Sequence, residues 1–137
     1  MSHLQPDRAA LESLARLPDD APVVMLNMLR FRAQAEYPVG SEHAPCTGRQ
    51  AYRRYGEQAV RHVQALGGSA VWMGDVQSTL IGPSEERWDE VLLVQYPSRK
   101  AFLQMISDPD YLASTVHRTA ALSDSRLIAM RAGAKRE

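Results

Sequence analysis

Nine consecutive residues, VVMLNMLRF at 23 to 31, restrict what this chain can fold into more than any others. Read as a strand spanning 22 to 31, they alternate between faces. Val23, Met25, Leu29 and Phe31 share one side, and Val24, Leu26 and Met28 share the other. Both sides are apolar, so both must be covered, and a sheet with one wetted face is excluded at this point.

The remaining periodicities supply one of the two covers. A short helix is expected over 7 to 17, entered at Pro6 and ended by Pro18. After a long loop from 32 to 48, a helix is expected over 48 to 66. Thr47 and Gln50 stand at capping-box spacing, Tyr52, Tyr55, Ala59, Val63 and Leu66 form its apolar stripe, and Gly67-Gly68 closes it. A second strand is expected over 69 to 81, with Gly74 marking a bulge or a close contact. The connection GPSEER leads to a third strand over 88 to 96. Ser98 then caps a helix to Ile106, and Asp108-Pro109 starts another to Ala121. A last strand is expected over 125 to 130.

The order after the first helix is β-α-β-β-α-β, an α+β, ferredoxin-like arrangement with a four-stranded antiparallel sheet. It fits one domain over 1–137, with an N-terminal helical extension (1–20) and a core (21–131). The helices of this order cover one face of the sheet only. With no second sheet in the chain, the other face is expected to meet its own copy, giving a homodimer with two sheets face to face.

Composition narrows the function classes. Lys plus Arg equals Asp plus Glu, 16 against 16, so no basic surplus points to nucleic acid. No apolar run approaches the roughly 20 residues of a membrane helix. The single cysteine, Cys46, forms no intrachain disulfide, and the N-terminus lacks the pattern of a signal peptide. Both favour a cytoplasmic protein. Glu42, His43 and Cys46 lie close in sequence, but no H-x-x-x-H or C-x-x-C spacing accompanies them, so no metal and no haem is expected. No glycine-rich phosphate loop or nucleophile elbow occurs, and no cofactor is expected.

VVMLNMLRF, Tyr37-Pro38, AYRRYGE at 51 to 57, RWDEVLLVQYPSR at 87 to 99, SDPDY at 107 to 111 and HRTAALSDSRL at 117 to 127 together resemble the family called domain of unknown function 1330. The resemblance spans roughly 20 to 130. It implies a dimeric α/β barrel built from ferredoxin-like subunits, in a superfamily that holds cofactor-independent monooxygenases, lactone isomerases, haem-dependent peroxidases and stress-response proteins. It implies no particular reaction.

Candidate site residues follow from chemistry. Asn27 is the polar residue of an apolar strand face, so it either holds a neighbouring loop or faces a ligand cavity. Arg30 either binds an anion or pairs with Asp89 or Glu90. Asp89, beside Trp88, is either a base with a raised pKa or a partner of Arg30 or Arg126. His117 is a proton shuttle or a capping residue, and the resemblance favours it because the family motif carries His-Arg there. Tyr55 places a hydroxyl at the rim of the core, and Trp72 walls a cavity or an interface. His117, Asp89 and Arg30 are thus the catalytic candidates; Asn27, Tyr55 and Trp72 are the substrate-binding ones. At least three of Asn27, Arg30, Tyr55, Asp89 and His117 are expected to share one cavity. The expected function is a small homodimeric, cofactor-independent enzyme, monooxygenase- or isomerase-like, acting on a small, partly apolar organic molecule. The alternative is a non-catalytic ligand-binding or stress-associated dimer with the same cavity.

Overall fold

A computed structural model describes residues 2–18 and 20–132. The elements run α1 (Arg8–Ala15), β1 (Val23–Phe31), α2 (Gly48–Ala65), β2 (Ser69–Asp75), β3 (Glu90–Tyr96), α3 (Arg99–Ile106), α4 (Pro109–Ala121) and β4 (Leu122–Arg131). The sheet order is β2-β3-β1-β4, with every neighbouring pair antiparallel. This is the expected ferredoxin-like sheet, with β1 and β3 at its centre.

Helix starts follow local hydrogen bonding. Asp7, Thr47, Ser98 and Asp108 each accept a backbone N–H of the helix they cap. At Thr47 the capping box is complete, since Gln50 returns a bond to the Thr47 N–H at 2.9 Å. The end of α2 is a Schellman turn. Gly68 N–H donates to Val63 C=O (2.9 Å), Gly67 N–H donates to Gln64 C=O (3.0 Å), and Gly67 takes φ +83°. Gly48 is required for a different reason. A Cβ there would stand 2.2 Å from the Arg32 carbonyl and 2.7 Å from that of Ala121, so only glycine lets α2 start against these two backbones.

Strand boundaries and the position of the bulge differ from expectation. β2 ends at Asp75 rather than 81, because residues 76–89 form a longer connection to β3. The bulge falls between Ala70 and Trp72, not at Gly74; Gly74 instead leaves room for the Trp72 ring, which a Cβ would meet at 2.5 Å. β4 begins at Leu122, directly after α4, because Leu122 and Ala121 are both fully buried and leave no space for a loop.

The pairing register aligns side chains in rows across the sheet. Met73, Leu92, Asn27 and Leu127 form one row on the helix side; Trp72, Leu93, Leu26 and Ile128 form the adjacent row on the opposite side. On the helix side Val23, Met25, Ala59, Val63, Tyr96, Phe102, Met105 and Tyr111 form the larger core cluster. A smaller one joins Leu29, Ala51, Ala121 and Leu122. Among the described elements no helix covers the opposite face, where Trp72 is 56% and Ile128 47% exposed.

Candidate functional site

Between the helices and the sheet lies a cavity of about 1190 Å³, large by the standard of small-molecule sites. Asn27 and Tyr55 line it. Arg30, Asp89, His117 and Trp72 do not. The cavity therefore gathers two of the five residues expected to converge, not three.

Each of the others has a definite place. Arg30 keeps the regular alternation of β1, pairs with Asp124 just before the register shift, and faces its carboxylate at 3.6 Å, so its carboxylate partner is Asp124 rather than Asp89 or Glu90. Asp89 accepts the backbone N–H of Phe31 at 2.8 Å, which fixes the end of β1 to the start of β3. Trp88 is buried, with the guanidinium of Arg126 4.9 Å and that of Arg30 5.7 Å from its ring centre. Trp72 stands on the opposite face of the sheet.

His117 belongs to a second cluster, built on the long loop. Its Nδ1 is 2.7 Å from the Tyr37 hydroxyl, which also accepts from Arg54 at 3.1 Å. The His43 ring stacks between, 4.6 Å from His117 and 4.9 Å from Tyr37. Burial, then the neighbouring His43 and Arg54, holds His117 below the usual histidine range. Arg54 also donates to the Ala44 carbonyl, so the cluster ties loop 32–48 to α2 and α4. Among the described residues no three His, Cys, Asp or Glu side chains converge as metal ligands.

The cavity is polarised along its length. Its wall near Val23 and Met25 is apolar, closed by Phe102, Met105 and Tyr96. Toward Phe31 it turns polar. Tyr52 packs edge-on to Phe31 (5.5 Å), within reach of the Arg118 charge. Arg118 donates to the Leu4 carbonyl and reaches the Ser125 hydroxyl at 3.5 Å. Across the sheet stand Glu90 and Arg49, with Arg49 3.6 Å from Asp75. Burial pushes the Tyr52 phenol up to about 12, so it stays a donor at physiological pH. Burial, then Asp75, raises the Glu90 carboxyl. Midway, the Tyr55 and Tyr111 hydroxyls meet at 2.7 Å, and Asn27 Nδ2 donates to Met25 and Leu92 carbonyls, both at 3.3 Å. Of the two alternatives, Asn27 meets the cavity one; the backbone it bonds belongs to β1 and β3 and not to a loop.

The N-terminal segment forms another wall. His3 N–H donates to Asp124 (2.9 Å), the Ser125 hydroxyl donates to His3 C=O (2.5 Å), and His3, Leu4 and Pro6 border the cavity.

Tyr52, Arg118, Glu90 and Arg49 were not singled out as site residues on sequence grounds. For Arg118 a signal existed. Tyr111, Thr115 and Arg118 recur at helical spacing and all border the cavity, whereas His117 is turned about 100° away, toward the loop.

Fold and site together define a ferredoxin-like α+β protein with one polarised cavity between its sheet and its helices. The chain belongs to the family of domain of unknown function DUF1330, whose model matches residues 41–132. The match starts after β1, so the strand that most restricts the fold lies outside it. The chain is similar to RPA0582, a protein of unknown function from Rhodopseudomonas palustris: 37% identity, TM-score 0.90, covering 98% of this chain and 100% of that one. The methylated form of RPA0582 gives 38% identity, TM-score 0.89, and 97% and 96% coverage. A DABB-family protein with a ferredoxin-like fold from Mesorhizobium loti shares the fold at 10% identity, TM-score 0.52, over 82% of this chain and 98% of that one. No curated protein matches the chain.

Proposed function

We propose that this protein binds one small, largely apolar organic molecule per subunit, in the cavity between sheet and helices, and does so as a cytoplasmic homodimer. The cavity itself carries the reading: about 1190 Å³ bordered by Met25, Leu92, Val94, Phe102 and Met105, with a few polar groups at one end. Asn27 and Tyr55 orient the ligand. The dimer rests on the apolar row Trp72, Leu93, Leu26 and Ile128, which this chain's helices leave uncovered. No helix among the described residues is long and apolar enough to cross a membrane.

Gly56 offers a clean test. It borders the cavity, sits inside α2, and a Cβ there meets nothing within 4 Å. Gly56→Phe would place a ring in the cavity and also remove a helix-interior glycine, itself unfavourable by about 1 kcal/mol relative to alanine. The wild-type protein should bind the neutral fluorophore N-phenyl-1-naphthylamine saturably, and the variant should bind it more weakly, with its circular dichroism unchanged. Equal binding by the two proteins would remove the cavity from consideration.

A second reading is a cofactor-independent enzyme of the isomerase or monooxygenase type. One observation favours it: Glu90, a carboxylate at the cavity wall with a raised pKa, has the character of a general base. Isomerisation of a model butenolide by the wild-type protein, followed by NMR and lost in Glu90→Gln, is its expected signature. Retention of that activity in Glu90→Gln would exclude the role.

A further inference from the structure

We propose that the ligand of this cavity is an amphiphilic monocarboxylate, its carboxylate held by Arg118 and Tyr52 and its elongated apolar body running along α2 toward Phe102 and Met105. This rests on the reading that the cavity is a ligand site, and it adds the ligand's charge, polarity and orientation.

Charge pairing is the first ground. Arg30, Arg49 and Arg126, like Arg118, flank the Phe31 end of the sheet, and each of those three has a carboxylate within ion-pair distance. Arg118 differs: among the described residues its guanidinium meets only neutral oxygens, those of Leu4, Ser125 and Tyr52. It is only half-exposed and borders the cavity. A partly desolvated guanidinium without a counter-charge is best satisfied by an anion, and its planar fork suits a carboxylate.

The second ground is the neighbouring donor. Tyr52 lies near enough to Arg118 to feel its charge and keeps its own proton, so its hydroxyl can donate to the same anion. The Glu90 charge reaches Tyr52, but Glu90 pairs with Leu29, which pairs in turn with Ser125, so it stands two strands from the Arg118 contact, about 10 Å across the sheet. Asp75 and Arg49 lie on Glu90's side as well.

Length is the third ground. Tyr52 and Val63 border the two ends of the cavity and are eleven residues apart on α2, about 16 Å at the helical rise. An extended chain advances about 1.2 Å per bond on backbone dimensions, so a ligand of about twelve to fourteen bonds, carboxylate included, spans this length. Between these ends the walls are mainly aliphatic and aromatic, and the polar groups midway, Asn27 and the Tyr55–Tyr111 pair, are neutral and already hydrogen-bonded, so the charged end of a ligand is better held at Arg118.

The test is calorimetric titration of the full chain with dodecanoate and with 1-dodecanol, which shares the tail and lacks the charge. Arg118→Gln should weaken dodecanoate by about tenfold and leave dodecanol unchanged, since a charge-assisted pair is lost while the tail contacts stay. Tyr52→Phe, which keeps the ring packing on Phe31 and does not touch the Leu4 segment, should likewise weaken dodecanoate alone. It decides the matter if Arg118→Gln fails to fold. Equal effects on both ligands, or none on dodecanoate, overturn the carboxylate assignment while the cavity reading stands. Binding of neither ligand by the wild-type protein overturns the assignment too, and the neutral fluorophore then shows separately whether the cavity reading survives.

Discussion

One position along α4 separates two different polar environments. His117 faces the loop cluster and Arg118 the cavity, so neighbouring residues of one dipeptide serve unrelated contacts. The His117 environment has a pH consequence. Its folded pKa is depressed, so below the ordinary value of 6.5 the unfolded chain takes up protons that the folded chain resists. Stability should therefore be highest above that value and fall as pH drops through it toward the folded pKa. Chemical denaturation between pH 8 and 5 should show this decline, and His117→Gln should flatten it. A decline of the same slope in the variant would assign the effect elsewhere. The groups opposing the charge are His43 and Arg54, while Tyr37 holds the ring by its hydroxyl.

At the scale of elements, the N-terminal segment is held by β4 and α4 rather than by α1 alone. Burial raises the Asp124 carboxyl, but the N–H groups of His3 and Ser125, with Arg126, outweigh it and hold the pKa below the usual carboxylate range. Asp124→Asn keeps the shape and loses the charge. It should cost about 1 to 3 kcal/mol, the range for hydrogen bonds to charged groups, and should speed amide exchange at residues 3 to 5 well beyond its effect on β1. Uniform acceleration across the chain would mean that the segment is not a separate unit. This clasp was illegible in the sequence, because His3 and Asp124 meet only through a contact 121 residues apart. Helix starts were legible, since Thr47, Ser98 and Asp108 act on backbone N–H groups within three residues. Strand ends were not: where β2 stops and β4 begins depends on pairing and burial. The same distinction applies to the site. Parity put Asn27 and Arg30 on opposite faces without saying which one meets the helices, and the turn of α4 that gives the cavity Arg118 and the loop His117 needs the packing of α2 to fix it.

For the whole molecule, the uncovered sheet face is the dominant unresolved surface. Four apolar side chains from four strands lie in one row, and the partner sheet of the proposed homodimer would cover them. The protein should have a dimeric mass by light scattering at micromolar concentration. Leu26→Glu, at the centre of the row, should split the dimer and lower the midpoint of thermal unfolding, because association and folding are linked. A wild-type protein that stays monomeric would end the face-to-face model.

The placement of the two tryptophans has an optical consequence. Neither indole borders the cavity. Trp72 lies half in solvent in the uncovered row, and Trp88 is buried between two guanidinium groups. Intrinsic emission is thereby segregated from ligand occupancy. Covering the open face should shift the Trp72 band to the blue, and filling the cavity should leave the spectrum where it was, so one untreated sample reports association without interference from whatever the interior holds.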